Sequence, residues 1–138
     1  METKYFEICV NLAKKAAKKG EIPVGAIIVH NNKIISKAYN LREKKRDITA
    51  HAEILAIKKA AKSLNRWNLS DCELYVSLEP CSMCNIVITQ SRIHKVSYLC
   101  KKLNYKKEYN KTEFTHFSSD SLSSIYQGIL SSFFSNKR

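Results

Sequence analysis

Glu73-Leu74-Tyr75-Val76-Ser77-Leu78-Glu79-Pro80-Cys81-Ser82-Met83-Cys84 is a strand that runs into the start of a helix. Leu, Tyr and Val in its first half favour extended backbone. Pro80 then sits where a helix opens, a position that has no use for an N–H. Ile86, Val87, Ile88 and Thr89 taken alone favour another strand. A run apolar on all sides also suits a buried helix, and with Pro80 ahead of it, Cys81 to Ser91 is expected to be helical. A second strand is expected at His94 to Leu99.

Outward from this stretch, Phe6, Cys9, Val10, Ala13 and Ala17 recur at helical spacing and Gly20 is a natural stop. Ala26 to His30 and Ile34 to Ala38 flank Asn31-Asn32, whose side chains tolerate a left-handed turn, so they read as a hairpin. The polar loop Asn40 to Thr49 leads to a helix with Ile54, Ile57, Ala61 and Leu64 on one face, and Thr49 is its expected cap. Downstream, Glu113 to Phe117 is expected as a short fifth strand. Leu122, Ile125, Tyr126, Ile129 and Phe133 form the stripe of a last helix. This order predicts an α/β fold, a three-layer α/β/α sandwich around a central five-stranded mixed sheet, with residues 1–138 as one domain.

No apolar run approaches the roughly 18 residues that a membrane helix needs. Met1 to Gly20 reads as a Lys-rich amphipathic helix rather than a signal peptide. A cytoplasmic protein without a membrane partner is expected. Lys and Arg number 24 against 12 Asp and Glu, a net charge of +12, which draws polyanions such as nucleic acid. A general bias toward Lys, Asn and Ile produces the same excess. Five cysteines, an odd count, argue against a disulfide framework. Cys9, Cys72 and Cys100 read as small core residues; Cys81 and Cys84 have a spacing that suggests chemistry.

A catalytic zinc takes three nitrogen or thiolate ligands and leaves its fourth position to water. His51, Cys81 and Cys84 supply that number, and the unpaired N–H groups of a helix's first turn favour thiolate over thiol. His51 and Glu53 lie roughly 200° apart around a helix, so they share a site only if that helix points at it end-on. The expected chemistry follows. Zinc acidifies a water toward a pKa of ~7, and Glu53 takes its proton and delivers protons to a ring nitrogen and to departing ammonia. The other reading is a closed site with Cys72 or Cys100 as fourth ligand and Glu53 as an ordinary carboxylate.

His51-Ala52-Glu53 with Pro80-Cys81-Ser82-Met83-Cys84 matches the H-x-E…P-C-x-x-C signature of zinc deaminases. Beyond it, Glu21-Ile22-Pro23-Val24-Gly25-Ala26, Thr49 to Glu53, Leu74 to Cys81, Ser91-Arg92-Ile93 and Phe133-Phe134 resemble the bacterial tRNA-specific adenosine deaminases, over nearly the whole chain. The resemblance implies a cytidine-deaminase-like fold, one Zn2+ per subunit, a homodimer, and conversion of adenosine to inosine at the wobble position of a tRNA anticodon stem-loop. It also implies that Asn40 hydrogen-bonds the target base. Ile22, Pro23 and Val24 correspond to the apolar wall beside that base, Ala52 is a further substrate contact, and Phe133-Phe134 belong to a helix that supports RNA binding. Read from the residues alone, Asn40 serves equally as a turn residue and the wall as core.

Departures lie elsewhere. Lys101 to Lys106 replaces an Arg-Asp-x-Lys-x-Gly-like segment, Ile48 stands where proline is frequent, and Asn85-Ile86-Val87 where small residues are usual. Lys101 to Lys111 holds five lysines against one glutamate, with Tyr105 and Tyr109 among them, a composition that suits either a solvated loop or RNA contact. The competing functions are deamination of free guanine or cytosine compounds, and a catalytically silent zinc-containing RNA-binding subunit, for which Glu53 has no purpose.

Overall fold

The computed structural model describes residues 2–101 and 112–136; apart from Lys101, the basic segment lies outside them. The elements follow in the order α1 (Glu2–Lys18), β1 (Gly25–His30), β2 (Lys33–Tyr39), α2 (Arg42–Lys45), α3 (Ala52–Leu64), β3 (Cys72–Leu78), α4 (Ser82–Gln90), β4 (Lys95–Cys100), β5 (Glu113–His116) and α5 (Asp120–Asn136). The sheet runs β2-β1-β3-β4-β5. β1 is antiparallel to β2 and β3, whereas β3, β4 and β5 are parallel, which makes the sheet mixed, as expected.

Alternation along the central strands assigns the layers. Ala26 and Ile28 of β1, with Leu74 and Val76 of β3, face Ala52, Ala56 and Ala60 of α3 and Cys84 and Ile88 of α4. Ile27, Val29 and Tyr75 face Phe6 and Cys9 of α1 and Tyr126 of α5. β1 is therefore buried on both sides, and each of its isoleucines contributes about 1.5–3 kcal/mol by leaving water. The result is the α/β/α sandwich read from the sequence.

Local signals account for the joints. Gly20, at φ 78°, lets its own N–H and that of Glu21 reach back to the carbonyls of Ala17 and Ala16, each at 3.0 Å, which closes α1. Asn31 and Asn32, at φ 52° and 63°, make the hairpin turn expected of them.

Some expectations fail for identifiable reasons. The loop from Asn40 to Thr49 contains a short helix, α2. Thr49 caps nothing: its hydroxyl donates to Asp47 Oδ1 at 2.7 Å, and α3 begins at Ala52 with His51 as its cap residue. Ala16, not Ala17, is fully buried in α1. β5 stops at His116. Among the described residues, α5 packs mainly on α1 and β4, so its burial centres on Tyr126 while Ile125 stays 51% exposed. α4 likewise buries Cys84 and Ile88 but leaves Ile86 57% exposed, rather than being covered all round. No helix among the described residues is long and apolar enough to cross a membrane.

Gly25 is where α1 comes closest to the sheet. A Cβ there runs into the Cys9 carbonyl oxygen and comes within 2.7 Å of Leu12 Cβ. Gly25→Ala is expected to push α1 off β1 and to cost about 1–3 kcal/mol or more, read as a lower denaturation midpoint with an unchanged slope.

Candidate metal centre

α3 and α4 start at the same place, the end of the sheet where β3 finishes. His51 precedes α3 in extended backbone, φ −73° and ψ 152°, and Cys81 precedes α4 in the same way, φ −75° and ψ 172°. Cys84 follows one turn inside α4. His51 Nδ1 lies 3.7 Å from Cys81 Sγ and 3.5 Å from Cys84 Sγ, and the three ligand atoms are all within 4.8 Å of one another. A tetrahedron with Zn–S of about 2.3 Å and Zn–N of about 2.0–2.1 Å has nitrogen–sulfur edges of roughly 3.6 Å. The two observed separations fall on that value, so donor types and spacing both fit zinc.

The electrostatics agree with the geometry. The Cys84 thiol donates to Cys81, which, together with His51, pulls Cys81 down to about 3 although burial opposes it. The same hydrogen bond and burial push Cys84 up. His51 is raised, first by its hydrogen bond to Cys81. Glu53, in the first turn of α3, is 4% exposed, and burial pushes its carboxyl up to about 7. A carboxyl so placed exchanges a proton near neutrality.

Cys72 and Cys100 do not close the site. Cys72 starts β3, six residues and about 20 Å of strand away from Leu78. Cys100 pairs with Leu78 across the sheet but packs on the α1 and α5 side, near Ser123 and Gln127. Cys9 is buried with its thiol on the Tyr75 carbonyl at 3.4 Å. Among the described residues, His51, Cys81 and Cys84 form the group able to hold a metal.

The expected substrate residues gather beside it. Val24 and Ala52 are buried in one cluster with Cys84, and Ile22 and Cys81 pack against it. Pro23 is buried between them. The Asn40 N–H donates to the Val24 carbonyl at 3.1 Å, which sets Asn40 next to the wall. Phe133 and Phe134 join Ile22, Asn40 and Arg42 around a cavity of about 240 Å3. A larger cavity, about 650 Å3, lies between α1 and α5, with Lys14, Lys18, Ile125 and Ile129 in its lining.

Residues 1–100 match the zinc-binding region of cytidine and deoxycytidylate deaminases. The chain belongs to that family. Within this deaminase family it is 54% identical over 99 residues to the tRNA-specific adenosine deaminase of Aquifex aeolicus (strain VF5), a match that covers 71% of this chain. It spans 66% of that relative's length, just under two thirds. It is 40% identical over 148 residues to the tRNA-specific adenosine deaminase of Buchnera aphidicola subsp. Baizongia pistaciae (strain Bp), covering 98% of this chain and 90% of the relative. A solved structure from studies of A-to-I editing by tRNA:A34 deaminases at the wobble position of transfer RNA aligns with a TM-score of 0.83 at 28% identity, over 93% of this chain and 99% of that chain.

Sequence reasoning passed over three residues that hold the chain segments beside this cluster. Glu21 is buried and accepts two backbone N–H groups. Ser77 Oγ accepts the Gly25 N–H at 3.1 Å. The Tyr126 hydroxyl donates to the Pro23 carbonyl at 2.7 Å, 103 residues away. The signal for Glu21 was present, an acid set between a helix stop and an apolar run; the partners of the other two are invisible without the fold.

Cys81→Ala and Cys84→Ala are each expected to lower bound zinc from about one ion per chain to near none, measured by elemental mass spectrometry on protein dialysed against buffer. Cys72→Ser and Cys100→Ser are expected to retain it. Zinc loss in either serine variant with full retention in the alanine variants reverses the assignment.

Proposed function

We propose that the chain hydrolyses adenosine to inosine, with release of ammonia, at the wobble position of a tRNA anticodon, using one zinc ion held by His51, Cys81 and Cys84. The observation that carries this reading is the three-donor cluster with a buried carboxyl against it: Glu53 and the Cys84 sulfur lie within hydrogen-bonding reach. A site built only for structure needs a fourth ligand and no proton carrier. The names of the relatives that match nearly end to end, and of the solved structure that aligns over almost all of itself, support tRNA as the substrate.

The zinc, when bound, supplies an electrophilic centre and an acidified water. Glu53 takes a first proton from the nucleophile and gives it to the ring nitrogen beside the reacting carbon, then takes the remaining proton of the added hydroxyl and gives it to the amino group, which leaves as ammonia. Its burial keeps the proton near neutrality in affinity, so both acceptance and delivery are accessible at one pH. Asn40 donates its amide N–H to an acceptor on the base, while Ile22, Pro23, Val24 and Ala52 form the apolar wall against the flipped ring. The excess of 24 Lys and Arg over 12 Asp and Glu draws the RNA backbone. We place the reaction in the cytoplasm, in a single domain.

We also assign a homodimer, in which the exposed Ile86 of α4 is covered by a second copy. Met83 and Val87, only partly buried in the single chain, extend this apolar surface.

Incubating the zinc-loaded protein with anticodon stem-loops, guanine and cytosine, and scoring products by mass spectrometry, tests the substrate. Inosine in a stem-loop is expected; turnover of a free base alone would overturn the RNA assignment. Glu53→Ala is expected to lower kcat at least about a hundredfold while zinc and stem-loop binding persist. Retained deamination removes Glu53 from its role. Ile86→Glu is expected to convert dimer to monomer in light scattering, and an unchanged mass places the interface elsewhere.

A further inference from the structure

α2 is four residues long, and its first amides have no partners within the helix. Side chains take them instead. Asn40 Oδ1 accepts the Arg42 N–H at 3.2 Å. The Glu21 carboxylate takes the next two, with Oε1 on the Glu43 N–H at 2.9 Å and Oε2 on the Lys44 N–H at 2.8 Å.

Glu21 is 1% exposed, and a buried carboxylate is costly unless its oxygens are matched. Capping a surface turn does not require that arrangement, since an Asn or Ser at the cap position does it locally. What distinguishes Glu21 is its location. It immediately precedes the Ile22–Val24 wall, and Val24 accepts the Asn40 N–H at 3.1 Å. The next amide, that of Leu41, donates to Ala50 at 3.0 Å, one residue before His51. The Asn40-Leu41 backbone is thus tied to the wall on one side and to the histidine on the other. Glu21 adds a tie on α2 itself, at two amides of its first turn, and so restrains the tilt of that helix.

That tilt controls a side chain. The Arg42 N–H holds the Asn40 oxygen, so the amide nitrogen is what Asn40 offers to a ligand. If α2 swings, the Arg42 N–H leaves, and the Asn40 amide is free to turn its oxygen to where the base needs a donor.

We propose that Glu21 is a positioning residue for base recognition: by clamping the Glu43 and Lys44 amides it fixes α2, and through the Arg42 N–H it fixes which end of the Asn40 amide meets the base. This rests on the reading of Asn40 as the base contact.

The test is a double-mutant cycle on the zinc-loaded full chain with an anticodon stem-loop as substrate. Glu21→Gln keeps one accepting oxygen but turns an NH2 against the other amide. Glu21→Gln and Asn40→Ala are each expected to lower kcat/KM about tenfold or more. The double variant is expected to be no worse than Asn40→Ala alone within about twofold. Hydrogen exchange of the Glu43 and Lys44 amides is expected to accelerate in Glu21→Gln, with zinc content unchanged.

Losses that multiply in the double variant, or faster exchange with unaltered kcat/KM, overturn the role of Glu21 and leave the Asn40 reading standing. A harmless Asn40→Ala overturns the Asn40 reading, and the proposal with it. If Glu21→Gln does not fold, Glu21→Asp, which keeps the charge but is one methylene too short to reach both amides, carries the same cycle.

Discussion

His51 Nδ1 lies 3.5 and 3.7 Å from two sulfurs because two helices begin at one point, and that coincidence organises the molecule. Each helix start carries roughly half a positive charge on its unpaired N–H groups. Two such ends facing one spot repel unless anionic groups lie between them. Cys81, pulled down to about 3, is such a group, and Cys84 and Glu53 are located with it in or next to a first turn, where the fields are strongest. The sheet makes the approach possible. β1, buried on both faces, holds α3 through its even positions and α1 through its odd ones, so the frame under the two helix starts is fixed from both sides.

The pocket wall is anchored with equal care. Between Glu21 and Gly25, the chain is tied to α2 by the Glu21 carboxylate, to α5 by the Pro23 carbonyl, to Asn40 by the Val24 carbonyl and to β3 by the Gly25 N–H. Five residues thus reach α2, α5, Asn40 and β3. A ligand pressed against this segment would meet a surface that yields little, which supports the proposed recognition of a planar ring.

Much of this was legible in the sequence, in proportion to how local the cause is. Strand and helix periodicity located the sheet, and the H-x-E and C-x-x-C spacings located the donors. The roughly 200° between His51 and Glu53 assumed that both lie inside the helix; His51 instead precedes α3 in extended backbone, and Glu53 alone is within its first turn. The cap was misread because Asp47, two residues upstream, captures the Thr49 hydroxyl and leaves His51 itself at the helix boundary. α2 was illegible as a helix because two of its first amides find their acceptors on Glu21, 22 and 23 residues away. Ile86 and Ile125 show the limit of periodicity: it marks which side of a helix is apolar, not whether anything covers that side.

The donors also span a wide interval of chain. His51 is 30 residues from Cys81 and 33 from Cys84, so an ion joining all three is a staple between distant segments as well as a reagent. Closing a loop of that length restricts the unfolded chain by about 4 kcal/mol in the chain-entropy treatment of cross-links, a sizeable fraction of the stability of a domain this small. The centre proposed to do the chemistry would therefore also guard the fold, and a chain stripped of its metal is expected to lose resistance to unfolding and proteolysis together with the proposed reactivity.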